Sequence, residues 1–243
     1  MNIKSFLKSN LNDYPGKISS VIFTPDCNFK CPACHAKNLS EIKDEVKEGD
    51  FFKYLDSHKK WIKGVVLCGG EPTLQKGLID FSEKLKEKGL AVKLDTNGSN
   101  PEILEELKRH NLADYIALDV KGPKYLYSNV TGRHLRDEDI AMIEKSMAIT
   151  SEFPSYEFRT TIVPVIRDNG DIKPLDIREI IDTAKWIVEA TGHNHHKYYL
   201  QKFVPRKDGL IDKRLESFPE TSLESLLRIK KEIIKYLPNC ETR

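Results

Sequence analysis

The chain has 243 residues, with 39 Lys+Arg against 37 Asp+Glu (net charge +2), and 39% of it is hydrophobic. The near balance of charge argues against a dedicated nucleic-acid binder. Apolar runs reach only four residues, as in VVLC at 65–68, against the roughly twenty that a membrane span needs, and the opening MNIKSFLKSNLNDYPGK has no signal-peptide core, so a cytoplasmic globular protein is expected.

In chain order, β-branched and aromatic runs at 19–24, 64–67, 90–94, 114–120, 156–165 and 197–204 predict six strands. Segments of helical period separate them. Ile140, Ile143 and Met147 form one helix face, as do Ile177, Ile180, Ile181, Ala184, Ile187 and Val188, and finally Leu226, Ile229 and Ile233. Asn100 before Pro101 reads as a helix cap, and Thr221 with Glu224 as a capping box. Six alternating β and α elements imply parallel strands with right-handed crossovers. Periodicity alone fits either an open six-stranded barrel or a doubly wound sheet. No linker interrupts the pattern, so one α/β domain over 1–243 is expected, with its core at about 18–205 and a last helix at about 221–237. In such folds ligands bind on the loops at the carboxyl ends of the strands, and the unusual residues of this chain fall there.

Five cysteines are present, Cys27, Cys31, Cys34, Cys68 and Cys240, an odd set that does not suggest a disulfide framework. Cys27, Cys31 and Cys34 directly follow the first strand. Their soft thiolates suit an iron–sulfur cluster or zinc, and a short loop can wrap three corners of a cubane while leaving the fourth iron without a thiolate. A structural zinc ion would want a fourth ligand, which His35, adjacent to Cys34, is awkwardly placed to supply. Cys68 and Cys240 read as small buried hydrophobes.

Gly69-Gly70-Glu71-Pro72 ends the second strand. It is either a tight turn or a close backbone approach to a ligand, beside a carboxylate able to accept from an ammonium group. LDTNG (94–98) and LDVK (118–121) end the next two strands and put Asp95, Asp119 and Lys121 on adjacent loops. Each motif alone is also ordinary turn and cap chemistry. Arg159 in FRTT is open to two readings, a ligand contact or an ion pair inside a barrel. The basic stretch 122–136, with Lys124, Arg133, His134 and Arg136, reads as a docking rim or a solvated loop. His193, His195 and His196 read as a metal tract or an exposed turn.

The CxxxCxxC loop on a first strand resembles the signature of radical S-adenosylmethionine (radical SAM) enzymes. The resemblance continues through GGE, LDTNG, LDVK and FRTT to QKFVP (201–205), a pattern similar to the activating enzymes of glycyl-radical enzymes. Over roughly 18–205 the string resembles most the anaerobic ribonucleoside-triphosphate reductase activating proteins. The resemblance implies an open partial (β/α)6 barrel and a 4Fe–4S cluster on Cys27, Cys31 and Cys34. It implies S-adenosylmethionine chelated at the open iron and bound by Gly69, Gly70, Glu71, Asp95, Asn97, Asp119, Lys121 and Arg159, with room for a monovalent cation. The implied reaction is reductive cleavage of the cofactor, the 5′-deoxyadenosyl radical then taking a hydrogen from a glycine of a partner enzyme. With only three clustered cysteines, the electron is expected from an external donor such as a flavodoxin or ferredoxin. One departure is Ala33, where the family usually has an aromatic residue. Two rival readings are a radical SAM enzyme acting on a small molecule, as 7-carboxy-7-deazaguanine synthase does, and a zinc-binding or electron-transfer module.

Overall fold

The computed structural model describes residues 1–35, 39, 42 and 45–243. The six expected strands are β2 (Ser19–Thr24), β3 (Gly64–Gly69), β4 (Ala91–Thr96), β5 (Tyr115–Asp119), β6 (Tyr156–Thr161) and β9 (Tyr198–Gln201). They pair in that order, all parallel. The helices that follow them are α1 (Glu48–Ser57), α2 (Leu78–Glu87), α3 (Pro101–Arg109), the short α4 (Tyr127–Thr131) with α5 (Asp137–Ser151), α6 (Ile177–Thr191) and α7 (Leu223–Ile233). The sheet stays open. Its edges are β1 (Ser5–Asn10), antiparallel to β2, and β10 (Cys240–Thr242), parallel to β9. This is the partial barrel, and it settles the choice that periodicity left open.

Differences from the expected pattern are local. The run 156–165 breaks after Thr161, and Pro164 starts a separate hairpin of β7 (Pro164–Ile166) with β8 (Ile172–Pro174). The chain turns there because Val163 N–H donates back to Thr161 O. The cap of α7 is Ser222, whose hydroxyl accepts from Ser225 N. Thr221 instead accepts from Phe203 N and ties the β9 loop down. Asn100 precedes α3 but donates its amide to Thr73 O, linking two loops of the rim.

Strand alternation divides the side chains between two environments. Outward residues such as Ile22, Leu67, Leu94, Ile116, Leu118, Phe158 and Leu200 join helix residues such as Phe81, Leu104, Met147 and Ile187 in a continuous apolar layer. Inward residues pack differently. Tyr14, Val21, Val66, Tyr115 and Ala117 fill the floor of the barrel, with Tyr14 against Gly64, where a Cβ would lie 3.0 Å from its ring. Above this floor the inward residues are charged.

Candidate functional site

The cysteine loop is held by backbone bonds from three directions. Gly70 N and Glu71 N donate to Thr24 O and Asp26 O, Lys30 N donates to Thr131 O, and Asp212 N donates to Pro32 O. Glycine is required where these loops meet. A Cβ on Gly70 would lie 1.8 Å from Asp26 O, one on Gly69 (φ +110°) 2.4 Å from Thr24 N, and one on Gly132 (φ +62°) 2.2 Å from Lys30 O. The glycine pair of GGE thus makes a close approach, as its sequence suggests, and what it approaches is the cysteine loop itself.

Cys27, Cys31 and Cys34 line a cavity of about 330 Å³ at the carboxyl ends of the strands. No disulfide involves them. Among the described residues no three His, Cys, Asp or Glu side chains converge on a single ion. Burial pushes the Cys31 thiol up to about 12 and the Cys27 thiol upward as well, partly offset at Cys27 by Phe29 N–H and at Cys31 by the Lys121 charge. A bound iron cluster reverses that preference, because positive metal favours thiolates. Three soft donors lining one cavity, with the Lys121 charge acting on Cys31, fit such a group.

The same cavity is lined by Gly69, Gly70, Glu71, Asp95, Asn97, Asp119, Lys121 and Arg159, so all eight residues implied by the resemblance converge on it. They do so in three distinct ways. Glu71 is buried, and its carboxylate accepts from Thr73 N and Oγ1 (3.1 and 2.7 Å), Thr96 Oγ1 (2.7 Å) and Asn97 N (2.7 Å). Burial pushes its carboxyl upward against these four donors. Three of these bonds fall on Oε1 and one on Oε2, so Glu71 pins the ends of β3 and β4 together while Oε2 keeps a lone pair. Asn97 forms a second type of link. Its amide donates to Asn28 Oδ1 (3.0 Å) and lies 3.8 Å from Cys27 Sγ, while Asn28 reaches Ser99 Oγ at 2.9 Å.

The third group is a row of charges across β4, β5 and β6. Arg159 donates through Nε to Asp119 Oδ1 (2.7 Å) and through Nη1 to Asp95 Oδ2 (2.9 Å), Lys121 Nζ binds Asp119 Oδ2 (2.9 Å), and buried Lys93 pairs with Asp95. Register explains the contact, since Asp119 and Arg159 are direct cross-strand partners. Burial alone would raise the Asp119 carboxyl, but Arg159 and Lys121 outweigh it and hold the group well below the usual range. The same pairing holds Lys121 above its usual range despite burial. Buried Glu157 extends the row, 3.9 Å from Arg159 and paired with Arg243, so cations and anions alternate along it. Arg159 is thus an interior ion pair and a wall of the cavity at once.

Several contributors escape a reading by motif. Lys93 lies two residues before Asp95 on the same strand face, which was its available signal. Tyr127 accepts from Lys121 N and donates to Asp119 O. Ala33 packs with Phe203, Leu210 and Leu215, and the buried Phe203 ring lines the cavity. Other candidates lie elsewhere. Cys68 lines the cavity beside the barrel floor, and Cys240 is buried in the outer layer. His196 is not on an exposed turn: it is buried and bonded to Tyr156 OH (3.0 Å), Thr191 Oγ1 (2.7 Å) and His193 O (2.9 Å). In the 122–136 stretch Lys124 pairs with Glu144, Arg133 with Asp139, and Arg136 with Glu138 and Asp139, so that charge is largely spent locally.

Three thiols on the first βα loop of an open six-unit barrel, sharing one cavity with the carboxylates of Asp95 and Asp119 and the cations of Lys121 and Arg159, suit an iron–sulfur enzyme whose ligand carries charges of both signs. Comparison with known proteins agrees. Residues 21–153 match the model of the radical SAM superfamily. A Methanocaldococcus jannaschii protein assigned by name to the glycyl-radical enzyme activating enzymes is 34% identical over 95% of this chain and 91% of its own length. The pyruvate formate-lyase-activating enzyme of Clostridium pasteurianum is 29% identical over 75% of this chain and 76% of its own. Among solved structures, Streptococcus suis SuiB bound to precursor peptide SuiA superposes with a TM-score of 0.64 at 15% identity, covering 90% of this chain and 46% of that longer one, a likeness of fold. The chain belongs to the radical SAM superfamily, whose members use a 4Fe–4S cluster and S-adenosylmethionine. No helix among the described residues is long and apolar enough to cross a membrane.

Proposed function

We propose that this enzyme installs a glycyl radical on a partner protein, and that the partner is anaerobic ribonucleoside-triphosphate reductase. The observation that carries the reading is the placement of three thiols, the GGE turn and the charged row around one cavity at the rim of an open barrel. Relatives named as activating enzymes support the activity, and the string GGEPTLQKGL, LDTNGSNP, ALDVKGP, EFRTT and QKFVP supports the reductase as target. When bound, the cluster and S-adenosylmethionine supply one-electron cleavage of the sulfonium and hydrogen abstraction.

The protein's share is binding, orientation and exclusion of water. Cys27, Cys31 and Cys34 would hold the cluster. Lys121 would neutralise the cofactor's carboxylate. Asp95 and Asp119, held by Arg159, would supply acceptors to the ribose hydroxyls or a monovalent cation. The turn of Gly69, Gly70 and Glu71 would supply acceptors for the methionine amino group, and Asn97 steadies the loop carrying Cys27. The single domain works in the cytoplasm, and an external flavodoxin or ferredoxin supplies the electron.

The test is anaerobic reconstitution with iron, sulfide, reductant and S-adenosylmethionine, followed by addition of the reductase. Release of 5′-deoxyadenosine and a glycyl-radical doublet in the EPR spectrum are expected. A spectroscopically confirmed cluster without cofactor cleavage would refute the reading.

A further inference from the structure

Beside the cofactor cavity lies a larger groove of about 780 Å³, between the start of α6 and the start of α7. The two share Phe203, whose ring forms part of both walls. The floor of the groove is apolar, made by Ile162, Pro164, Leu175, Phe203 and Ile229. Its rim carries Arg178 from α6 and Arg228 from α7, both exposed. Among the described residues neither arginine has an ion-pair partner. Of the two acids on the rim, Glu220 pairs with Lys202, and Asp176, which caps α6 by accepting from Glu179 N (2.9 Å), is one charge against the two arginines. The local charge available to a ligand is therefore positive.

An apolar centre with unpaired arginines at the edge is the anatomy of a protein interface. Small-molecule sites instead draw a few buried polar groups together on one ligand, and here the free polar groups stand at the rim. We infer that this groove receives an extended segment of the partner protein that carries apolar side chains for the floor and acidic side chains for Arg178 and Arg228. The segment leads past Phe203 toward the cavity, which places the partner's reacting residue over the cofactor. The proposal rests on the activase reading and adds to it where the partner docks and what chemistry its docking segment has.

The reconstituted enzyme with purified anaerobic ribonucleoside-triphosphate reductase tests it, using the double reversal R178E/R228E and the neutral pair R178Q/R228Q. Reductase-free cofactor cleavage should stay at the wild-type rate in both. The KM for reductase in glycyl-radical formation should rise about tenfold or more in the reversal, where like charges replace complementary ones, and less in the neutral pair, where attraction is only lost. Added salt should raise the KM less in the neutral pair than in the wild type, and still less or in the opposite sense in the reversal. An unchanged KM and salt dependence would overturn the groove while leaving the activase reading intact. Parallel loss of reductase-free cleavage would also overturn it, since the arginines would then serve the cofactor or the fold. Wild-type enzyme that cleaves the cofactor yet forms no glycyl radical would remove the activase reading, and the docking proposal with it.

Discussion

The two faces of the sheet use the same strands for opposite purposes. On β6, Tyr156 and Phe158 point outward into an apolar layer, whereas Glu157 and Arg159 point inward to charged partners. On β5, Ile116 and Leu118 face out, while Asp119 faces in. Outward side chains lose water and gain packing. Inward ones near the rim keep their charge because neighbouring strands bring complementary groups into register. A buried ion pair contributes little net stability, so the inner row makes sense as a binding surface and the outer layer as the source of the fold's stability. That division is open to test, since inner substitutions should damage chemistry first and outer ones stability first.

The largest effect should come from Cys31→Ala. Cofactor cleavage, followed as 5′-deoxyadenosine, should disappear, while the metal-free protein melts as the wild type does. Cleavage at the wild-type rate would remove Cys31 from the cluster. Phe158→Ala sets the opposite limit. This fully buried outer ring should cost about 3–5 kcal/mol of stability, measured by denaturant unfolding, with cleavage retained under conditions where the variant stays folded. Loss of activity without loss of stability would erase the distinction between the faces.

What the sequence discloses follows the same line. The six strands and the cofactor loops were legible because alternation and strand-end motifs are local properties. Contacts that depend on cross-strand register were not. Nothing near Glu71 in the chain indicates that Thr96 and Asn97 would donate to its carboxylate, or that Gly70 must clear Asp26 O. The pairing of Glu157 with Arg243, 86 residues apart, and with Tyr115 is equally silent. Edge strands β1 and β10 were missed for another reason: SFLKSN has no clean alternation, and CET is too short to show a period.

Asp119→Asn probes the middle of the inner row. It removes one charge between Arg159 and Lys121 while keeping the shape. Losing a hydrogen-bonded charge of this type costs roughly 1.5–3 kcal/mol, so S-adenosylmethionine should bind about ten- to a hundredfold more weakly in equilibrium titration. The native pairing also makes a pH prediction. A carboxyl held below its usual value stabilises the fold above its unfolded value near 3.9, and that contribution is lost as acid protonates it. Asp119→Asn should therefore flatten the acid limb of the stability curve below pH 4. An unchanged limb together with unchanged cofactor affinity would take Asp119 out of the row.

The smallest expected effect comes from an exception in the outer layer. His196 is a titratable ring among apolar neighbours, packed edge-on to Phe158 with centroids 5.1 Å apart. Burial, with His193 beside it, lowers its pKa to about 4, although the His193 carbonyl works the other way. The ring is therefore neutral at pH 7, and the unfolded chain takes up its proton first. Between the ordinary histidine value near 6.5 and about 4, the unfolded state binds more protons, so stability must fall as the pH is lowered through that window. The slope should be a fraction of the about 1.4 kcal/mol per pH unit that one full proton carries. His196→Gln retains a side-chain amide for Tyr156 and Thr191 but cannot titrate, so unfolding free energies measured between pH 7 and 4.5 should decline less steeply than in the wild type. Parallel curves would mean that His196 is protonated in the folded protein, and that this part of the outer layer tolerates a charge that the rest of it excludes.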